Sequence, residues 1–214
     1  MKLDGILDVL FPPRCAACDA VAPVAGGFCA CCAVSLLPLH DTAADATAGG
    51  LRILAPDAYG AALADAIIRM KHAGRPETAR LLASRVAARW PAPPVPGAVL
   101  VPVPLHPRDL RARGYNQAAL LCHHLRKAWA LPVRDALRRV ERSGSQRGRD
   151  PAGRMAAVQG AFVARGSAGR RLGGHPVILV DDVVTTGATI REAARALRDE
   201  GLMVAAAIAA ARVL

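Results

Sequence analysis

Aromatic side chains are scarce in this 214-residue chain: Phe, Trp and Tyr make up 3% of it. Proteins that hold single-stranded nucleic acid usually stack its bases on such rings, so a stacking platform is poorly supported. Lysine is scarce too, with Lys2, Lys71 and Lys127 the only lysines among 28 basic residues. No uncharged apolar run approaches the ~20 residues that a bilayer demands. The most apolar tail segment, Leu202–Ala211, suits a buried strand instead. Near the amino terminus, Asp4 and Asp8 interrupt the apolar residues, which makes a poor signal peptide, and a cytoplasmic location is the expectation.

Aliphatic residues and positive charge are plentiful. Hydrophobic residues are 53% of the chain, ample for a core, and the net charge is +11. From Arg108 to Arg149 there are eleven basic residues against three acids (Asp109, Asp135 and Glu141), a local excess of +8. That balance suits a polyanionic ligand such as pyrophosphate or nucleic acid, although an arginine-biased surface would produce the same numbers.

Five of the six cysteines lie between Cys15 and Cys32. Cys15 and Cys18 form one C-x-x-C, and Cys29 and Cys32 form another. Two such knuckles can bring four thiolates to one zinc ion at about 2.3 Å each. Cys31 is spare, or could replace a neighbour. Disulfides are the competing explanation, but a reducing compartment favours zinc. A site closed by four thiolates is structural rather than catalytic. Cys122 stands alone in a helical run and reads as a small core residue.

The stretch "VILVDDVVTTGATI", Val177 to Ile190, carries the most chemistry. Val177–Val180 has the length and β-branched content of a strand buried on both faces. Asp181 and Asp182 would emerge at its carboxyl end, where open α/β sheets bind ligands. Thr185–Thr189 is small and hydroxyl-rich. Ile190, Ala193, Ala194 and Leu197 then repeat at helical spacing until Gly201. Backbone N–H groups at a helix N-terminus attract an anion, and Gly187 permits close approach. Carboxylates do not bind phosphate directly, so Asp181 and Asp182 would hold ribose hydroxyls or a magnesium ion on the same ligand. A Walker loop would need a lysine after its last glycine, and a dinucleotide fingerprint three spaced glycines; neither is present.

Along the rest of the chain, Leu3–Phe11 is expected to be a short helix and Pro38–Gly50 a linker. Helices are expected over Ala61–His72, Pro76–Trp90 and Gln117–Trp129. Strands are expected over Ala98–Val103, Leu137–Val140, Ala161–Ala164 and Val204–Val213. Pro104–Asn116 and Arg142–Arg154 read as arginine-rich loops. Strands alternating with helices argue for a parallel sheet.

The Val177–Ile190 stretch closely resembles the phosphoribosyl pyrophosphate (PRPP) signature of type I phosphoribosyltransferases. Together with "YGAALADAIIRMKHAGR", "LVPVPLHPRDLRARGYNQA" and "LDVLFPPRCAAC", it makes nearly the whole chain resemble the ComF/GntX family of competence-associated, phosphoribosyltransferase-like proteins. The resemblance implies an α/β fold: a type I phosphoribosyltransferase-like parallel sheet flanked by helices, preceded by a four-cysteine zinc module. Residues 1–50 would be the zinc module and linker, and 51–214 the transferase-like domain. Asp181 and Asp182 would be the catalytic ribose carboxylates. Val183, Val184, Thr185, Thr186, Gly187, Ala188 and Thr189 would line the PRPP site with them.

Arg111 and Arg113 are candidates for the pyrophosphate, with Asn116 and Gln117 opening the helix behind them. Lys71 could reach the pocket or could simply complement a helix C-terminus. His106, between prolines, reads as structural. The family implies structural zinc at Cys15, Cys18, Cys29 and Cys32, and magnesium with PRPP. The implied activity is pentosyl transfer, in the glycosyltransferase class, to an unidentified acceptor, linked to natural competence and DNA uptake. The alternatives are a catalytically silent, PRPP-responsive regulator and a single-stranded DNA-binding module. Before the signature, Ser143-Gly144 and Ala157 depart from the family's Thr-Pro and asparagine, while Gln146, Arg149, Arg154 and Gly160-Ala161-Phe162 keep its pattern.

Overall fold

The computed structural model describes residues 12–21, 26–40, 45–48, 50–140 and 158–214. The expected Leu3–Phe11 helix and the Arg142–Arg154 loop, with Gln146, Arg149 and Arg154, lie outside them.

The centre is a parallel sheet. Strands β2 (Leu51–Leu54), β4 (Val99–Pro102), β7 (Val177–Val184) and β8 (Val204–Arg212) lie in the order β2-β8-β7-β4, all parallel. β1 (Asp45–Ala48) pairs antiparallel with β2 at the edge. This corrects the reading of Pro38–Gly50 as linker: part of that segment is a strand, and Pro38 bridges Asp57 through Leu39 N–H to the Pro56 carbonyl and Ala58 N–H to the Leu37 carbonyl, both at 2.8 Å. β3 (Asp57–Ala58) runs along the same side of β8 as β2, beyond the break at Ala55-Pro56. Proline cannot donate to the ladder, so the strand stops and resumes.

Alternating residues face two cores. Leu100, Ile178, Val180, Ala206 and Ile208 pack under α2 (Ala61–His72), α3 (Thr78–Arg89) and α5 (Gln117–Trp129). Val99, Val101, Val177, Leu179, Ala207 and Ala209 pack on the other face. There they meet α7 (Ala188–Arg198), α6 (Ala168–Leu172) and the hairpin of β5 (Leu137–Arg139) with β6 (Phe162–Ala164). Both faces are covered, which is why β7 is apolar without interruption until Asp181.

Two helical bounds, α2 and α5, agree with the sequence expectation. The reading of Pro104–Asn116 as loop does not: α4 (Pro107–Arg113) lies inside it. Its signals are orthodox, since Pro107 opens it, His106 Nδ1 accepts the Arg108 N–H at 3.2 Å, and Gly114 ends it at φ 79°. Pro76 precedes α3 by two residues instead of opening it.

The cysteine module sits against this domain rather than apart from it. Cys15, Phe28 and Cys29 are buried in the same core as Leu63, Ile67 and Met70. Gly27, at φ 84°, lies so close to α3 that a Cβ would stand 2.8 Å from the Leu81 side chain. Cys29 precedes the one-turn helix α1 (Ala30–Ala33). Among the described residues, no helix is long and apolar enough to cross a membrane.

Candidate functional site

β7 is longer than its apolar run implies. It continues through Asp181 and Asp182 to Val184, paired with Ala209, Ala211 and Arg212 of β8. β4 stops at Pro102, opposite Val180. The acids therefore do not follow the strand, as expected, but occupy its last half, beyond the end of its neighbour. One side of them is β8; the other is open to the chain that leaves β4.

Asp182 faces the end of α2. It is 7% exposed. Lys71, in the last turn of α2, places Nζ 2.7 Å from Asp182 Oδ2. Lys71 thus reaches the site; it does not merely complement a helix end. Each acid also caps the strand locally: Asp182 N–H donates to Asp181 Oδ1, and Val183 N–H to Asp182 Oδ1, both at 2.9 Å. Burial and the neighbouring Asp182 charge push the Asp181 carboxyl up to about 8, only partly offset by the Asp182 N–H and Lys71. Two adjoining carboxylates beside a single lysine resist joint ionisation, which a bound cation would relieve. Their oxygen donors fit a hard divalent cation such as magnesium.

Thr185 and Thr186 are exposed, and Gly187 adopts φ 73° as the residue before α7. Left-handed backbone at that point favours glycine and turns the chain from strand to helix in three residues. Thr186 Oγ1 accepts the Ala188 N–H at 3.4 Å, and Arg191 Nη1 donates to the Thr186 carbonyl at 2.8 Å. The first helical turn, Ala188–Ile190, presents N–H groups with no partner earlier in the helix. Val184 is buried, and its carbonyl accepts the Val213 N–H, so its side chain serves the core. Val183 is half-buried.

The chain leaving β4 closes the open side. Asn116 Nδ2 donates to the Val103 carbonyl at 3.0 Å while its Oδ1 accepts the Ala118 N–H at 2.9 Å, capping α5. Tyr115 donates its hydroxyl to the Met70 carbonyl, one residue before Lys71. Arg113 is half-buried and close enough to Tyr115 for its charge to act on the phenol. Arg111 is exposed, and no ion pair among the described residues joins it to the acids. Gln117 is 1% exposed with Nε2 unpartnered at the first turn of α5. Tyr115 is the residue that sequence reasoning missed; its signal was its place between Gly114 and the Asn116 cap.

At the other end, Cys15, Cys18, Cys29 and Cys32 bring their sulfurs within 4.8 Å of one another. Cys18 and Cys29 sulfurs are 3.8 Å apart, close to the ~3.8 Å edge of a tetrahedron with 2.3 Å bonds to zinc. The fourth member is Cys32, and Cys31 is exposed outside the cluster. Against the desolvation of burial, backbone N–H groups at Cys18, Cys29 and Ala17 draw the Cys15 thiol down to about 6. Desolvation and the three neighbouring thiols push Cys32 up to about 12. Thiols that resist joint ionisation are those a zinc ion reconciles. Cys122 is fully buried, as a core residue should be.

Two family models match the chain. Residues 6–47 match the double zinc ribbon domain, and residues 118–213 the phosphoribosyl transferase domain. Competence protein F of Haemophilus influenzae is 37% identical over 122 residues, 56% of this chain and 52% of that protein. The chain thus spans about half the length of the curated relative it matches. A solved structure described as the allosteric regulatory enzyme of purine biosynthesis is 21% identical over 65% of this chain and 26% of that one. Its TM-score of 0.38 is too low to add to the argument. A zinc ribbon ahead of a phosphoribosyl transferase domain, with a competence protein as relative, matches the ComF-type architecture that the sequence resembles.

Proposed function

We propose that the chain binds PRPP with magnesium and transfers its phosphoribosyl group to an amine or nucleobase. One observation carries this: Asp181 and Asp182 stand beyond the end of β4, three residues from a strand-to-helix turn through Gly187. Carboxylates suited to the ribose 2- and 3-hydroxyls, close to N–H donors suited to the 5-phosphate, support this reading. Thr185–Thr189 form the phosphate cradle, with Val183 and Val184 contributing backbone only. Lys71 holds the Asp182 carboxylate in one orientation. Arg113, beside Tyr115, and Arg111, two residues earlier in α4, are the cations assigned to the departing pyrophosphate in this reading. Magnesium, when bound, neutralises part of the pyrophosphate charge.

The bond from C1 to the pyrophosphate oxygen breaks, positive charge develops on the ribose, and a bond from C1 to the acceptor nitrogen replaces it. The acceptor proton goes to solvent. The residues here bind and orient more than they exchange protons, so stabilisation of developing charge supplies the rate. The functional division falls near residue 50, with a zinc module before it and the transferase domain after. The relative's name, Competence protein F, supports a role in competence, and a reducing cytoplasmic setting would keep the cysteine cluster available to zinc.

Pyrophosphate release, followed with magnesium-PRPP against ammonia and a panel of nucleobases, tests turnover. Acceptor-dependent release is expected, and Asp182→Asn should abolish it. PRPP binding without release on any acceptor would leave a PRPP-responsive regulator.

A further inference from the structure

Three consecutive residues at the end of α2 tie three parts of the molecule together. Arg69 donates from Nε to the Ala17 carbonyl at 2.5 Å, inside the Cys15–Cys18 knuckle. The Met70 carbonyl accepts the Tyr115 hydroxyl from the chain leaving β4. Lys71 pairs with Asp182 at 2.7 Å. Past the helix end and Gly74, Arg75 pairs with Asp19, the residue after Cys18. Successive helical residues point about 100° apart, so one turn can face the knuckle, the core and the acids together.

We infer that Arg69 and Arg75 are positioning residues: through them the zinc knuckle sets the placement of Lys71 against Asp182. The inference rests on the reading of Asp181 and Asp182 as the PRPP grip. The knuckle keeps its shape through Asp19 N–H to the Cys15 carbonyl at 3.0 Å and Ala16 N–H to the Gly27 carbonyl at 2.9 Å. Four sulfurs on one ion fix the loop that carries these groups, as the cysteine cluster fits zinc. Ala17 and Asp19, the two anchors, lie on either side of Cys18. Loosening Cys18 moves both anchors, and with them the helix end from which a long, flexible lysine must meet a buried carboxylate. Lysine side chains lose considerable rotamer freedom when held, so a small change in the stem's position weakens the pair. The zinc site then serves the ligand grip as well as the fold.

The chain has only three lysines, which makes a direct test available. Acylation by an amine-reactive ester, read by mass spectrometry, reports how tightly Lys71 is held, with exposed Lys127 as the internal reference. Lys71 should react slowly in the zinc-loaded protein and severalfold faster in Asp182→Asn. Zinc removal by a chelator in reducing buffer, Arg69→Ala, and the milder Asp19→Asn should each raise the rate toward that limit. Buried Cys122 serves as the folding control and should stay protected from alkylation.

Unchanged Lys71 reactivity after zinc removal and in Arg69→Ala would overturn the inference. So would a rise accompanied in every case by loss of Cys122 protection, which is unfolding. Titration with magnesium-PRPP adds a second readout: Arg69→Ala should weaken binding severalfold, but not in a Lys71→Ala background. Equal losses in both backgrounds would also contradict it. If the unaltered protein binds no PRPP, the transferase reading falls while the labelling result still decides the coupling.

Discussion

Asp181 shows how much one residue's surroundings decide. Burial and Asp182 raise its carboxyl to about 8 from an ordinary 3.8. A raised carboxyl means the folded chain holds the proton more tightly than the unfolded chain does. Its contribution to stability is therefore complete below about pH 4 and is lost as pH rises through about 8. Asp181→Asn removes that dependence. Without metal, the melting temperature of the unaltered protein should fall more between pH 5 and pH 8.5 than that of the variant. A gap of at least roughly 2 °C is expected, what about 1 kcal/mol is worth in a chain of this size. Equal falls would mean that Asp181 is not held neutral. The acids and the four zinc cysteines were legible residue by residue because their spacing is local. The pairing of Asp182 was only partly legible: Lys71 was a candidate for the pocket, but the choice between that and a helix-end role needed the packing of α2 on the sheet.

At the scale of elements, periodicity located α2 and α5 to the residue, because each has one apolar face and clear ends. It underestimated β7, since an apolar-run criterion stops at the first charge whereas strand pairing with β8 does not. α4 escaped notice because its residues are mostly polar and none is buried, although its ends carried ordinary capping signals. The two-residue strand β3 was equally invisible. It is held by Asp57, 1% exposed, whose carboxylate accepts from Arg85 Nε at 2.7 Å and Nη2 at 2.5 Å. That fork ties α3 to the sheet edge. Arg85→Ala leaves a buried carboxylate alone and should cost on the order of 3 kcal/mol. Urea unfolding measures it directly. A loss below about 1 kcal/mol would mean that Asp57 is relieved by water rather than by Arg85.

Over the whole molecule, the zinc ribbon and the transferase domain share one core, with Cys15 and Phe28 packed among the residues of α2. A reading in order along the chain separates them, because the boundary near residue 50 looks like a linker; packing joins them. Where β7 outruns β4, Asp181 and Asp182 are proposed to hold the ribose of PRPP. Calorimetric titration of the zinc-loaded chain with magnesium-PRPP tests this most directly, comparing the unaltered protein with the double variant Asp181→Asn/Asp182→Asn. The account predicts saturable binding that the double variant loses by at least about a hundredfold, as the loss of two or three charge-assisted hydrogen bonds requires. Unchanged affinity in a folded double variant would contradict it.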